Sequence, residues 1–219
     1  MYLFYTNEYK KESAHSRELL ATSIGELIKL DADVRALSEI AALDDNELRR
    51  YISDNIEMNK NGKPCIKGIP DYSISHGENT WAIIFSDTPC GLDIQYNREA
   101  KLEKIASKFY QEDEVESVAR LGMDEFFRIW SRREALIKAV GSTVFSEAPS
   151  TMGESVTYQG FEWRIYDVSI DFEDNSPESK MSATSIQERN LKRPHAAVAV
   201  RDDSEFAGTG NIKVFKLEL

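Results

Sequence analysis

The sequence predicts an α+β fold arranged as two halves of similar kind. Three observations carry that expectation. Apolar residues recur with helical spacing over residues 13–30, 33–43 and 45–56, then switch to strand alternation over 72–95. The same order repeats, with helical spacing over 98–140 and alternation from Phe161 onward. Turn chemistry separates the two textures, as at Asn61-Gly62-Lys63-Pro64 and Pro70-Asp71. The division is placed at 1–98 and 99–219. No internal sequence repeat accompanies it.

Tyr2–Tyr5 reads as a first strand. In the helix over 13–30, Leu19, Leu20, Ile24, Leu27 and Ile28 form the buried side. The helix over 45–56 has Asp44 or Asp45 as its cap and Leu48, Tyr51, Ile52 and Ile56 as its stripe. Tyr72–His76, Trp81–Ser86 and Cys90–Gln95 read as strands of one antiparallel meander. Residues 98–121 return to helix, with Glu112, Asp113 and Glu114 as a solvated face or a helix start. Residues 125–140 form a second helix, with Asp124 as N-cap and Gly141 as C-terminal stop. Ala196–Val200 and Ile212–Leu219 read as strands, the last at an edge. The polar stretch 171–190 is expected to be a mobile loop or a long surface hairpin.

The 219 residues carry a net charge of −11, with 41% hydrophobic and 30% charged residues. That balance is globular, and the acidity argues against nucleic-acid binding, which needs clustered Lys and Arg. It leaves room for a small phosphorylated ligand held by a local basic patch. Two cysteines, Cys65 and Cys90, are too few for a disulfide framework and are expected to be free, buried thiols. The N-terminus has no apolar targeting core and no run is long enough to span a membrane. A cytoplasmic monomer is expected.

The chemistry gathers in three stretches. In Trp130-Ser-Arg-Arg-Glu134-Ala-Leu-Ile-Lys138, Glu134 and Lys138 lie one turn apart on one helix face. The plain reading is a surface ion pair worth a few tenths of a kcal/mol. In Gly91-Leu92-Asp93-Ile94-Gln95, alternation puts Leu92 and Ile94 on one face and Asp93 and Gln95 on the other. An aspartate inside a β-run breaks local propensity, and such breaks often mark a site. Lys63, Ser75 and His76 supply hydroxyl and basic groups suited to phosphate. Asp93 and Glu134 are the carboxylates a hard Mg²⁺ ion would take, with Gln95 a neutral oxygen beside them.

Taken in order, Gly62-Lys63-Pro64, Ser73-Ile74-Ser75-His76, Gly91-Leu92-Asp93-Ile94-Gln95, Phe109 with Glu114, and Trp130 to Lys138 resemble the 4′-phosphopantetheinyl transferases, in the Sfp-type branch that carries both halves in one chain. The resemblance implies a pseudo-dimer of two α+β halves, each an antiparallel sheet with packed helices, and an active site in the cleft between them. It implies transfer of the 4′-phosphopantetheine arm of coenzyme A to a serine of an acyl- or peptidyl-carrier protein, releasing adenosine 3′,5′-bisphosphate. Asp93, Glu134 and Gln95 would then surround Mg²⁺. Glu134 would be the base, Lys138 would neutralise the transferring phosphate, and Lys63, Ser75, His76 and Lys138 would contact coenzyme phosphates. Carrier docking is expected on an apolar patch near 96–127, with Tyr96, Tyr110 and Met123 as candidates beside Phe109, which is itself read as core.

Three residues depart from the family pattern. Gln95 stands for Glu, Arg133 for Lys, and Gly77 follows His76 where Ser is usual. Two other readings are therefore kept. A coenzyme-binding module would bind and not transfer. Another Mg²⁺-dependent phosphoester enzyme would break coenzyme A down with no carrier present.

Overall fold

A computed structural model describes residues 1–30, 37, 40–60, 62–142, 145–170, 194–203 and 211–218. The expected helix over 33–43, most of it, and the expected loop over 171–190 lie outside the described residues, as does Asn61.

The chain opens with β1 (Tyr2–Thr6) and α1 (Ser13–Leu30), then α2 (Asp45–Asn55). A small hairpin, β2 (Ile56–Met58) and β3 (Pro64–Ile66), leads to β4 (Asp71–Gly77), β5 (Thr80–Ser86) and β6 (Cys90–Tyr96). Three helices follow, α3 (Leu102–Phe109), α4 (Glu112–Leu121) and α5 (Met123–Val140), and a 3₁₀ turn at Phe145–Glu147. The chain ends with β7 (Ser155–Tyr158), β8 (Phe161–Val168), β9 (Pro194–Arg201) and β10 (Lys213–Lys216).

Two four-stranded sheets result, in the orders β10-β1-β5-β4 and β6-β9-β8-β7. Among the described residues all pairings are antiparallel except β1 with β10. The layers follow from strand alternation. Trp81, Ile83 and Phe85 of β5 face α1 and α2 in one core, while Ala82 and Ile84 face Leu92, Ile94, Ala196 and Val198 of the second sheet in another. Ala197 and Ala199 of β9 turn the other way, under Ala135, Leu136 and Ala139 of α5. A fourth core joins α3, α4 and α5 through Tyr110, Val118, Phe126 and Phe127. The order is helices, sheet, sheet, helices.

The meander expected over 72–95 is broken. β4 and β5 form a hairpin, but β6 crosses to the second sheet and pairs with β9, Asp93 opposite Ala197. The reason is that all seven residues of β5 are buried and its two edges are already taken by β1 and β4. The single helix expected over 98–121 is two, parted at Tyr110 and Gln111. Gln111 has extended backbone and its N–H donates to Glu114 Oε2 at 2.9 Å, which starts a new helix. Asp124 is not the cap of α5. Gly122 fills that position at φ 78°, and Asp124 instead accepts a hydrogen bond from Asn97. Gly141, at φ 71°, ends α5 in the left-handed conformation expected of it. Asp44 caps α2 through the N–H groups of Asn46 and Glu47. Cys65 is exposed rather than buried, and Cys90 is buried. Among the described residues no helix is long and apolar enough to cross a membrane.

Candidate active site

The site forms where the free edges of the two sheets, β4 and β6, meet beneath α5. Gly91, Asp93 and Gln95 share the face of β6 that looks at this helix. A Cβ on Gly91 would lie 2.0 Å from the Ala135 carbonyl oxygen and 2.5 Å from the Ala139 nitrogen. Only a glycine lets α5 settle this close, and the alanines on the helix and on β9 complete the flat contact. The consequence is reach. Lys138, near the end of α5, donates to Asp93 Oδ1 at 2.7 Å and to the Leu92 carbonyl at 3.0 Å.

Asp93 is 4% exposed and holds several donors. Besides Lys138, Ser75 Oγ donates to its Oδ1 at 3.1 Å and Gln95 Nε2 to its Oδ2 at 2.7 Å. Ser75 also accepts from the Ile94 N–H, and Ser73 from the Leu92 N–H, each at 3.0 Å. The two serines therefore stitch β4 to β6 in place of a backbone ladder. The surface Glu134–Lys138 pair of the plain reading is not what forms, because Lys138 turns to Asp93.

Glu134 is half-buried on the same helix face, and its carboxylate makes no hydrogen bond to the described residues. Burial pushes its carboxyl pKa up, the charge of Asp93 pushes it further, and Lys138 pulls it partly back. Two carboxylates whose charges oppose each other form an anionic oxygen pair that a hard divalent cation would relieve. Among the described residues no three His, Cys, Asp or Glu side chains converge. A Mg²⁺ ion here would thus rest on two carboxylates and take its remaining oxygens from water and phosphate, a pattern that ion commonly shows. The residues present fit it.

Lys63 lies beside this group and is committed elsewhere. Its Nζ bonds the Asp71 carboxylate and the Cys90 carbonyl, the latter at 2.8 Å, and Asp71 also accepts the Cys90 N–H at 2.8 Å. Lys63 and Lys138 border one cleft of about 250 Å³, together with Tyr72, Ile74 and Ser142. His76 is exposed on the opposite face of β4 from Ser75, its ring 5.2 Å from that of Tyr9. So Asp93, Glu134, Lys138, Ser75 and Gln95 come together, Lys63 borders the adjoining cleft, and His76 stands apart.

Three residues stand differently from what their sequence neighbourhoods suggest. Glu114 stands in the first turn of α4, so the acidic cluster is a helix start, but its side chain is wholly buried rather than solvated and pairs with Arg133 at 2.7 Å. Tyr110 is buried, with its hydroxyl on the Phe126 carbonyl at 2.8 Å, so it is core rather than docking surface. Asp71, read only as punctuation, anchors Lys63. No local pattern marks it, because its partners are 8 and 19 residues away in sequence.

Fold and site together define an α+β protein with a carboxylate–ammonium cluster at a sheet junction, its lysine bordering a cleft of about 250 Å³. Residues 89–191 match the family model of the 4′-phosphopantetheinyl transferase superfamily. The chain is 31% identical over 140 residues to the 4′-phosphopantetheinyl transferase Sfp of Bacillus subtilis (strain 168), covering 61% of this chain and 55% of that protein. It is 32% identical over 115 residues to 4′-phosphopantetheinyl transferase ffp of Bacillus subtilis, covering 45% and 50%. It is 32% identical over 111 residues to 4′-phosphopantetheinyl transferase gsp of Aneurinibacillus migulanus, covering 45% and 46%. The chain spans about half the length of these curated relatives. The chain is thus similar to the 4′-phosphopantetheinyl transferases over residues 89–191 and over these aligned stretches.

Proposed function

We propose that this chain moves the 4′-phosphopantetheine arm of coenzyme A to a serine of an acyl- or peptidyl-carrier protein, with Mg²⁺ required and adenosine 3′,5′-bisphosphate released. The observation that carries the reading is the cluster of Asp93, Lys138 and Glu134 at the junction of the sheets. In this reading the halves 1–98 and 99–219 form a pseudo-dimer that trades strands, with coenzyme A between them. The setting is a cytoplasmic monomer.

Asp93 and Glu134 would hold the ion, whose chemistry is to draw charge from the pyrophosphate oxygens. Everything else falls to side chains. Lys138 stands ready to leave Asp93 for a phosphate oxygen, and Lys63 borders the same cleft. Ser75 keeps the Asp93 carboxylate fixed while that exchange occurs. His76, exposed and basic, would meet an outer phosphate. Glu134 accepts the proton of the carrier serine as its oxygen bonds to phosphorus and the bond to the departing bisphosphate breaks. Positioning and charge stabilisation do most of the work in such transfers.

Intact mass spectrometry of an apo carrier incubated with the protein, coenzyme A and Mg²⁺ tests the reading. The expected result is a gain of one phosphopantetheine arm, lost with EDTA and lost in folded Asp93→Ala and Glu134→Ala. No gain across fatty-acid and peptidyl carriers would sink it, and turnover like the wild type in either variant would sink the metal assignment.

A further inference from the structure

Gln95 sits beside the carboxylates, and its amide is already bonded at both ends. Its Nε2 donates to Asp93 Oδ2 at 2.7 Å, and its Oε1 accepts from Arg98 Nη1 at 3.2 Å. The Arg98 guanidinium in turn lies 5.1 Å from the centre of the Phe127 ring. Phe127 is 1% exposed and belongs to α5. A line of contacts therefore runs from the helix core through Arg98 and Gln95 to Asp93.

We propose that Arg98 and Gln95 act as positioning residues, a brace that holds the Asp93 carboxylate, and that Gln95 is not itself an oxygen donor to the ion. The chemistry of the two ends decides this. A guanidinium can only donate, so it draws the amide oxygen. That leaves only the NH₂ end to face Asp93, where a carboxylate accepts it. The amide orientation is thus set by Arg98, and the Asp93 orientation by the amide. Arg98 is held over a buried ring by cation–π attraction, so the brace has a rigid foot although the arginine itself is exposed. Outer partners of this kind fix the groups that meet a cation. The inference rests on the proposed Mg²⁺-dependent reading.

The test is Mn²⁺ binding to the coenzyme A-loaded protein, followed by the electron spin resonance of free Mn²⁺, alongside carrier transfer. Wild type is compared with Arg98→Ala, Gln95→Ala, the double variant and Arg98→Lys. On charge alone, deleting a cation near the site tightens Mn²⁺ binding. The brace requires the reverse: Arg98→Ala weakens binding by about tenfold, Gln95→Ala does the same, and the double is no worse than either. The transfer rate falls in parallel, and Arg98→Lys, still able to donate to Oε1, recovers part of both. Unchanged or tighter Mn²⁺ binding in Arg98→Ala, or single effects that multiply in the double, overturns the brace. A wild type that binds Mn²⁺ and coenzyme A but modifies no carrier sinks the transferase reading alone, since the Mn²⁺ affinities still decide the brace. A wild type that binds no Mn²⁺ overturns both.

Discussion

At the scale of single residues, Arg133 shows how a charge next to the site serves the fold. Its side chain is fully buried and pairs with Glu114, also fully buried. Nη1 reaches Glu114 and the Pro149 carbonyl, and Nη2 the carbonyls of Phe145 and Ala148, between 2.7 and 3.2 Å. Glu114 is equally engaged, accepting the Gln111 and Thr151 N–H groups and the Thr151 hydroxyl. The pair ties α4, α5 and the segment 145–151 together directly behind Glu134. A planar fork meets this ring of acceptors, and a lysine has three donors on one atom. Arg133→Lys is expected to cost about 1–3 kcal/mol of stability by leaving buried carbonyls unpaired. Glu114→Gln is expected to cost more, about 3–5 kcal/mol, because it strands a buried guanidinium charge. Urea unfolding measures both, and an Arg133→Lys protein within half of the lower figure would refute the ring as described. Sequence spacing offered Glu114 as part of a solvated face or a helix start, and the family pattern offered Arg133 only as the counterpart of a lysine. Neither reading could see that the two meet, because 19 residues and a helix break lie between them.

At the scale of elements, the site depends on the distance between β6 and α5. Gly91 sits two residues before Asp93 on the same face, and the carbonyl of Ala135 fills the place its side chain would take. Gly91→Ala must lift the helix or bend the strand. Overpacking of this sort costs about 1–3 kcal/mol, and here the opposing atoms are backbone and cannot turn aside as a flexible side chain would. The displacement is expected to part Lys138 from Asp93 and reduce transfer by far more than it reduces folding. The measurement is carrier transfer beside thermal unfolding in one variant. Transfer at the wild-type rate would mean that the close contact does not set the site. Much of this element pair was legible from sequence: the alternation that turns Asp93 away from Leu92, the stop at Gly141, and the shared face of Glu134 and Lys138. What periodicity could not give was the partner of Lys138, because a helix face predicts neighbours four residues apart, and Asp93 lies 45 away.

At the scale of the whole molecule, the strand order does not follow the chain order. β6 belongs to the first 98 residues yet forms the edge of the second sheet, paired along its length with β9. β10 comes from the far end of the chain yet completes the first sheet, parallel to β1. Alternation found most of these strands and could not assign their sheets, because β5 and β6 read alike and only pairing partners distinguish them. The interleaving has a physical consequence. A fragment 1–98 keeps β6 but lacks the β9 edge it pairs with, and lacks the layer that covers Ala82 and Ile84. A fragment 99–219 keeps β9 but leaves Val198 and Val200 without Leu92 and Ile94. Each would expose a broad apolar sheet face, which burial on this scale does not tolerate in water. The intact chain is therefore expected to unfold in one transition that includes both sheets, and neither fragment is expected to fold alone. Amide spectra decide the matter: collapsed dispersion for each fragment, with native dispersion returning when the two are mixed. A well-dispersed spectrum from 1–98 by itself would show that the first sheet closes without β10 and the second sheet, and the cooperative link from strand order to site would fail.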